Sequence, residues 1–181
     1  MPAAVRSDAA RAAANAFAAQ PCFKESTHIA CYLANQEELD TQPLIEAVWR
    51  AKKICYLPVL QEGKSLFFAR YDEGDKLRAN QYGILEPENR TRKITAEKLE
   101  IVLVPLVAFD LMGHRIGTGG GYYDRTFAFL HAEGVRNPAL FGHAYSAQQA
   151  ADLPFDPWDV ALSGVVTEKG VYKVSAQYLP Q

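Results

Sequence analysis

Short apolar runs recur along the chain, and polar or helical stretches separate them. His28 to Leu33 (HIACYL) and Ile54 to Val59 (ICYLPV) read as buried strands, and Lys64 to Arg70 reads as a third. Ile101 to Val107 (IVLVPLV) is the most apolar run. It does not alternate, which predicts burial on both faces in the middle of a parallel sheet. Ala139 to Gly142 and Val160 to Thr167 supply further strands. Ala3 to Gln20 is alanine-rich with few β-branched residues and predicts a helix. A second helix is expected up to Lys52, capped by Asp40 or Thr41, with Leu44, Ile45 and Val48 on one face. A third is expected over Tyr122 to Glu133, with Tyr123, Phe127 and Leu130 on one stripe. Gly83 to Pro87 has breakers at both ends and reads as an ordered loop. Strands alternating with helices predict an α/β single domain over 1–181. Its sheet would be open, largely parallel and flanked by helices, a Rossmann-like three-layer arrangement opening on the helix of residues 1–20.

Composition narrows the function. The 181 residues are 49% hydrophobic and 22% charged, with a formal charge of -2. Nucleic acid or an anionic membrane as the main partner would reward a basic excess, so neither is expected. Three cysteines, Cys22, Cys31 and Cys55, show no CxxC spacing and read as reduced thiols of a cytoplasmic protein. The run from Ile101 to Phe109 is too short to span a bilayer, and Arg6, Asp8, Arg11 and Asn15 interrupt any signal-peptide pattern. His28, His114, His131 and His143 lack zinc-ligand spacing, so no zinc cluster is expected.

The chemistry concentrates in one stretch, VPLVAFDLMGHRIGTGGGYYDR, residues 104–125. It leaves the expected central strand and opens a helix, where an open parallel sheet binds ligands. Gly117, Gly119, Gly120 and Gly121 let backbone N–H groups approach a phosphate, and a helix N-terminus adds positive potential. Arg115 offers a planar cationic fork, and Asp124 can hold Mg²⁺ against the phosphates. Two familiar nucleotide motifs do not fit. No Gly-Lys-Ser/Thr follows the glycines, and GxGxxG would need glycine where Tyr122 stands. Glycines alone would fit a turn that merely closes a connection. Arg115 before them and Tyr122, Tyr123 and Asp124 after them favour a ligand.

This stretch closely resembles the signature of the 5-formyltetrahydrofolate cyclo-ligases, roughly VPxxAFDxxGxRLGxGxGYYDR. Further family-like pieces are Glu38-Leu39-Asp40-Thr41, Leu57-Pro58, Gly83-Ile84-Leu85-Glu86-Pro87, Leu153-Pro154 and Trp158-Asp159, so the likeness runs from about His28 onward. It implies ATP- and Mg²⁺-dependent conversion of 5-formyltetrahydrofolate to 5,10-methenyltetrahydrofolate, with ADP and phosphate released. It also implies residue roles. Arg115 and Tyr122 are assigned to catalysis. Arg115, Ile116, Gly117, Thr118, Gly119, Gly120, Gly121, Tyr122 and Tyr123 would contact ATP. Leu33, Glu38, Tyr82 and the segment from Thr118 through Tyr122 would contact the folate, and Asp124 and Asp159 would bind the metal. No partner beyond these small molecules is expected, and the protein is expected to be a monomer.

Other readings stand beside these. Asp124 would also stabilise the first turn of its helix by about 0.3–1 kcal/mol. Asp159 fits a loop-end cap, Glu38 a solvated loop acid and Tyr82 ordinary packing. Relatives often carry Lys or Met at the position of Gly120, and a Lys/Arg-rich first helix. Here Arg6 and Arg11 are that helix's cations and read as a solvated face. Those departures leave two alternatives: a folate- or nucleotide-binding relative without turnover, or an enzyme for another formylated or phosphorylated small molecule.

Overall fold

The computed structural model describes residues 2–35 and 37–174; Met1, Gln36 and 175–181 of the expected domain lie outside the described residues. The elements run α1 (Ala3–Ala18), α2 (Pro21–Glu25), β1 (His28–Ala30), α3 (Gln42–Arg50), β2 (Ile54–Leu60), β3 (Leu66–Arg70), β4 (Leu77–Ala79), β5 (Leu85–Pro87), β6 (Lys93–Ile94), β7 (Ile101–Val104), β8 (Ala108–Phe109), β9 (Arg115–Ile116), α4 (Tyr122–Thr126), β10 (Ala139–His143), β11 (Gly164–Thr167) and β12 (Gly170–Lys173). Eight strands form one sheet in the order β12-β11-β10-β7-β1-β2-β3-β6. The pairs from β11 across to β2 are parallel, and β12, β3 and β6 add antiparallel margins. The expected α/β class with a mostly parallel sheet is therefore what the chain adopts.

The unalternating run of β7 has the predicted cause. Ile101 and Leu103 enter the core beneath α1 and α3, while Val102 and Val104 enter the opposite core with Phe68, Phe109 and Phe127. Every β7 residue is buried, because successive side chains point to opposite faces and both faces are covered. In α1 the alanines at 9, 10, 13 and 14 form the buried stripe, and Phe17 closes it with no exposed surface. Its ring meets Phe23 edge-on at 5.8 Å and Phe141 at 5.0 Å. Burying a side chain of that size contributes about 1.5–3 kcal/mol.

Several expectations need correction. The helix expected over Tyr122 to Glu133 stops at Thr126, and a 3₁₀ turn over Ala128–His131 follows. Thr126 Oγ1 donates to the Tyr122 carbonyl at 2.7 Å and accepts the Leu66 N–H at 2.9 Å. A hydroxyl tied back into its own helix and out to a strand competes with further helix growth. So short a helix has little dipole, which leaves loop N–H groups as the main source of positive potential. The ordered loop expected over Gly83 to Pro87 is in part a strand, since Leu85–Pro87 is β5 and pairs with β4, an element unread from sequence. The strand expected over Val160–Thr167 begins only at Gly164, and β6 and β12 also went unread. Thr41 does not cap α3 with its side chain. Its hydroxyl donates to the Tyr32 carbonyl and accepts the Ala34 N–H, while Asp40 accepts the Gln42 N–H.

One topological feature positions the site. From β1 the chain crosses by α3 to β2 on one side, and from β7 it proceeds to β10 on the other. The chain therefore reverses its direction across the sheet between β1 and β7. Loops leaving the carboxyl ends of two such neighbouring strands part and leave a crevice.

Candidate active site

The loop leaving β7 is built around a buried carboxylate. Asp110 is fully buried, and its oxygens accept the N–H groups of Met112, His114 and Leu153 and Nδ1 of His114. These bonds shape the turn between β8 and β9. Gly113 in that turn has φ +95°, and a Cβ there would lie 2.8 Å from the Leu162 carbonyl oxygen. Arg115 follows on β9, nearly enclosed. Its guanidinium donates to the Val160 carbonyl and to Asp124 Oδ1 at 2.6 Å. Asp124 Oδ1 also accepts the Val160 N–H at 3.0 Å. Arg115 is thus paired with Asp124, rather than presented as an open fork.

Between them lies the glycine loop. Gly117, Thr118 and Gly119 are exposed, and Gly120 and Gly121 are half-buried. Gly121 begins α4 in the left-handed region, φ +66°. Arg125 Nη1 donates to the Gly120 carbonyl at 3.0 Å and braces the loop from behind.

The loop leaving β1 forms the other wall, carrying half-buried Leu33 and Glu38. Glu38 accepts the Asn35 N–H at 2.8 Å. Burial nevertheless raises its pKa above the ordinary carboxylate range. Its charge acts in turn on Tyr32 and Tyr123, whose hydroxyls are pushed well up, chiefly by burial. Glu38 from one wall and Tyr123 from the other are therefore in electrostatic contact. Beneath them lies His143, at the carboxyl end of β10, edge-on to Tyr32. It is buried, and among the described residues neither ring nitrogen makes a well-formed hydrogen bond; burial lowers its pKa to about 4, which the nearby Leu39 backbone offsets only in part.

A cavity of about 150 Å³ opens beside Arg115, lined by Gly113, His114, Phe155, Asp159, Val160 and Ala161. Asp159 Oδ2 accepts the Asp156 N–H at 2.9 Å. Asp124 thus bonds Arg115 and Val160, and Asp159 lines the same cavity as both of them. Hydrogen bonds among the described residues use only Oδ1 of Asp124 and Oδ2 of Asp159, which leaves hard oxygen donors of the kind Mg²⁺ prefers. Asp110, His114 and Asp152 also place ligand atoms within 4.8 Å of one another. The hydrogen bonds already made by both Asp110 oxygens give that trio a structural role.

Tyr82 stands apart from these groups, 65% exposed in the turn between β4 and β5. That hairpin joins the same end of the sheet, because Glu86 accepts the N–H of Leu60 at the carboxyl end of β2. The structure thus groups Arg115, the glycine loop, Tyr122, Tyr123, Asp124 and Asp159 on one wall, with Leu33 and Glu38 on the other. Arg11, on α1, bonds Ser7 and Asp8 on an exposed helix face. Sequence reasoning weighed His143 only as a zinc ligand and gave Tyr32, Asn80 and Arg125 no role. The one available signal for His143 was its place at the carboxyl end of a buried run.

A reversal point with a glycine loop on one side and a carboxylate loop on the other can be compared with known proteins. The model of the 5-formyltetrahydrofolate cyclo-ligase family matches residues 1–168. This chain belongs to that family. The family's 5-formyltetrahydrofolate cyclo-ligase from Escherichia coli K12 is 40% identical over 149 residues, 80% of each chain. The one from Haemophilus influenzae is 37% identical over 148 residues, 79% of this chain and 76% of the relative. The solved 5,10-methenyltetrahydrofolate synthetase of Aquifex aeolicus superimposes with a TM-score of 0.76 at 33% identity, covering 91% of this chain and 80% of its own. A Mycoplasma pneumoniae synthetase at 21% identity shares the fold, with a TM-score of 0.70. Among the described residues no helix is long and apolar enough to cross a membrane.

Proposed function

We infer that the chain catalyses the ATP-dependent conversion of 5-formyltetrahydrofolate to 5,10-methenyltetrahydrofolate. The carrying observation is the junction of β1 and β7, where one loop offers backbone donors for phosphates and the other a half-buried carboxylate. The chemistry requires both. A formamide oxygen is a poor leaving group. Transfer of the ATP γ-phosphoryl group to it releases ADP and gives an imidate-phosphate. N10 of the folate then attacks the activated carbon, loses its proton, and expels phosphate as the ring closes. The protein must align the formyl oxygen with phosphorus, balance the transferring charge and exclude water.

In this reading the N–H groups from Ile116 through Tyr123 cradle the phosphates. Arg115 turns from Asp124 toward the transferring group, and Tyr122 faces both substrates. Asp124 and Asp159 hold Mg²⁺, which when bound neutralises phosphate charge. Glu38 accepts N–H donors from the pterin edge, Leu33 packs on the ring, and Tyr82 covers it. The support for Glu38 is its burial with a raised pKa, since a carboxylate short of solvent gains most from new donors. We take the enzyme to be a monomer and place it in the cytoplasm, the latter in keeping with its buried free thiols Cys31 and Cys55.

The test is absorbance of methenyltetrahydrofolate formed from 5-formyltetrahydrofolate, with ATP and Mg²⁺ omitted in parallel. Product requiring both supports the reading. Folded protein that 5-formyltetrahydrofolate stabilises but that forms no product would leave a binding protein instead.

A further inference from the structure

Glu86 is buried to 2% exposure on β5. A buried carboxylate is costly unless its oxygens are satisfied, and here they are. Oε1 accepts the Leu60 N–H at 3.0 Å and Asn80 Nδ2 at 2.8 Å, and Oε2 accepts Arg90 Nη2 at 2.8 Å. Asn80 passes the connection on. Its Oδ1 accepts the N–H groups of Tyr82 at 2.9 Å and Ile84 at 3.1 Å. An unbroken chain of hydrogen bonds therefore runs from the carboxyl end of β2 through Glu86 and Asn80 to the hairpin turn.

The turn at the end of that chain exposes three large apolar side chains together, Tyr82 at 65%, Ile84 at 48% and Leu85 at 46%. They stand at the carboxyl end of the sheet, the end at which an open α/β sheet binds its ligands. A two-stranded ribbon with three-residue strands is marginal by itself, so its orientation depends on the tie to β2. We propose that the Glu86–Asn80 relay is a positioning device that sets Tyr82 and Ile84 as the apolar wall of the folate end of the crevice. The proposal rests on the cyclo-ligase reading above and assigns folate affinity to residues that make no contact with folate.

The charge pattern makes the relay testable. Glu86→Gln replaces an acceptor-only group with an amide whose NH₂ must face one of three donors. Asn80→Asp keeps the acceptor for Tyr82 and Ile84 but sets a second carboxylate against Glu86. The full-length protein is assayed with both substrates varied, alongside Tyr82→Ala and the Tyr82→Ala/Glu86→Gln pair. Each single variant is expected to raise the KM for 5-formyltetrahydrofolate about fivefold, with the KM for ATP and kcat within about twofold of wild type. The pair is expected to be no worse than Tyr82→Ala, because both changes remove the same wall. An unchanged folate KM beside a lowered Tm would overturn the proposal, leaving Glu86 a purely structural residue. So would additive effects in the pair, or a parallel rise in both KM values. If Glu86→Gln fails to fold, Asn80→Asp and Arg90→Ala carry the same comparison. If the wild type forms no product, the cyclo-ligase reading fails separately. The relay is then read from thermal stabilisation by 5-formyltetrahydrofolate, and an undiminished shift in the variants would overturn it.

Discussion

Asp124 and Glu38 are each held by groups of the protein, and those bonds define their tests. Asp124 receives Arg115 and the Val160 N–H on a single oxygen. Asp124→Asn is expected to raise the Mg²⁺ concentration for half-maximal rate at least about tenfold. It should also lower stability by about 1–3 kcal/mol, because Arg115 loses its charged partner. Mg²⁺-dependent thermal stabilisation checks the metal role apart from turnover, and a full shift in the variant would remove Asp124 from the metal site. Glu38→Gln is expected to raise the folate KM about tenfold, the loss of one charge-assisted hydrogen bond, and to leave the ATP KM unchanged. Identical kinetics would exclude Glu38 from the pocket. Arg115 and Asp124 were both legible in the sequence as chemistry-bearing residues. Their mutual pairing was not, because a glycine-rich loop over 117–121 separates the strand of one from the helix of the other and no periodicity predicts such a contact.

At the scale of elements, legibility followed the strength of the hydrophobic signal. The strand at β7 was plain because both cores draw on it. Tyr123, Phe127 and Leu130 were rightly read as one apolar stripe, and all three pack against the core around Val102 and Phe109. The helix assumed to carry them ends early, because Thr126 bonds to β3 and no local pattern reveals that partner. The β4–β5 hairpin was missed for a similar reason, its strands being only three residues long and half exposed. The turn before β9 yields the prediction at this scale. Gly113→Ala must place a Cβ against the Leu162 carbonyl at φ +95°, with no flexible side chain to yield. It is expected to lower stability by about 2 kcal/mol or more, read as a lower denaturant midpoint. A Tm equal to wild type would show that the turn can relax.

Across the whole molecule, acid sensitivity joins groups that are distant in sequence. Burial holds the pKa of His143 at about 4, below the ordinary histidine value, so the unfolded chain takes up its proton first as pH falls. Stability from this group is complete above about pH 6.5 and declines toward pH 4, a loss of about 3 kcal/mol. Asp72 acts lower on the scale. Burial works to raise its pKa, but hydrogen bonds from Arg70 and Arg92 outweigh that and leave it depressed. Its contribution is present above the ordinary aspartate range and fades as pH falls through its lowered value. His143→Gln should flatten the unfolding free energy between pH 6.5 and 4 and leave the lower limb in place. A wild-type slope in that window would assign the acid loss to other groups. None of this could be read from the sequence, since the burial of His143 depends on Tyr32 and Leu39 arriving from another strand's loop.

The order of the sheet also bears on how the chain is made. Helix α1 packs against α3 but also against β11 and β12. The helix therefore waits, with part of its apolar face uncovered, for strands that lie far downstream of it. The pairing of β2 with β1 and β3 uses early segments alone, yet α1 cannot finish docking until Gly164 to Lys173 has emerged. A nascent chain arrested before that point would present a sticky helix to chaperones, and its protease sensitivity should persist until β11 and β12 are out.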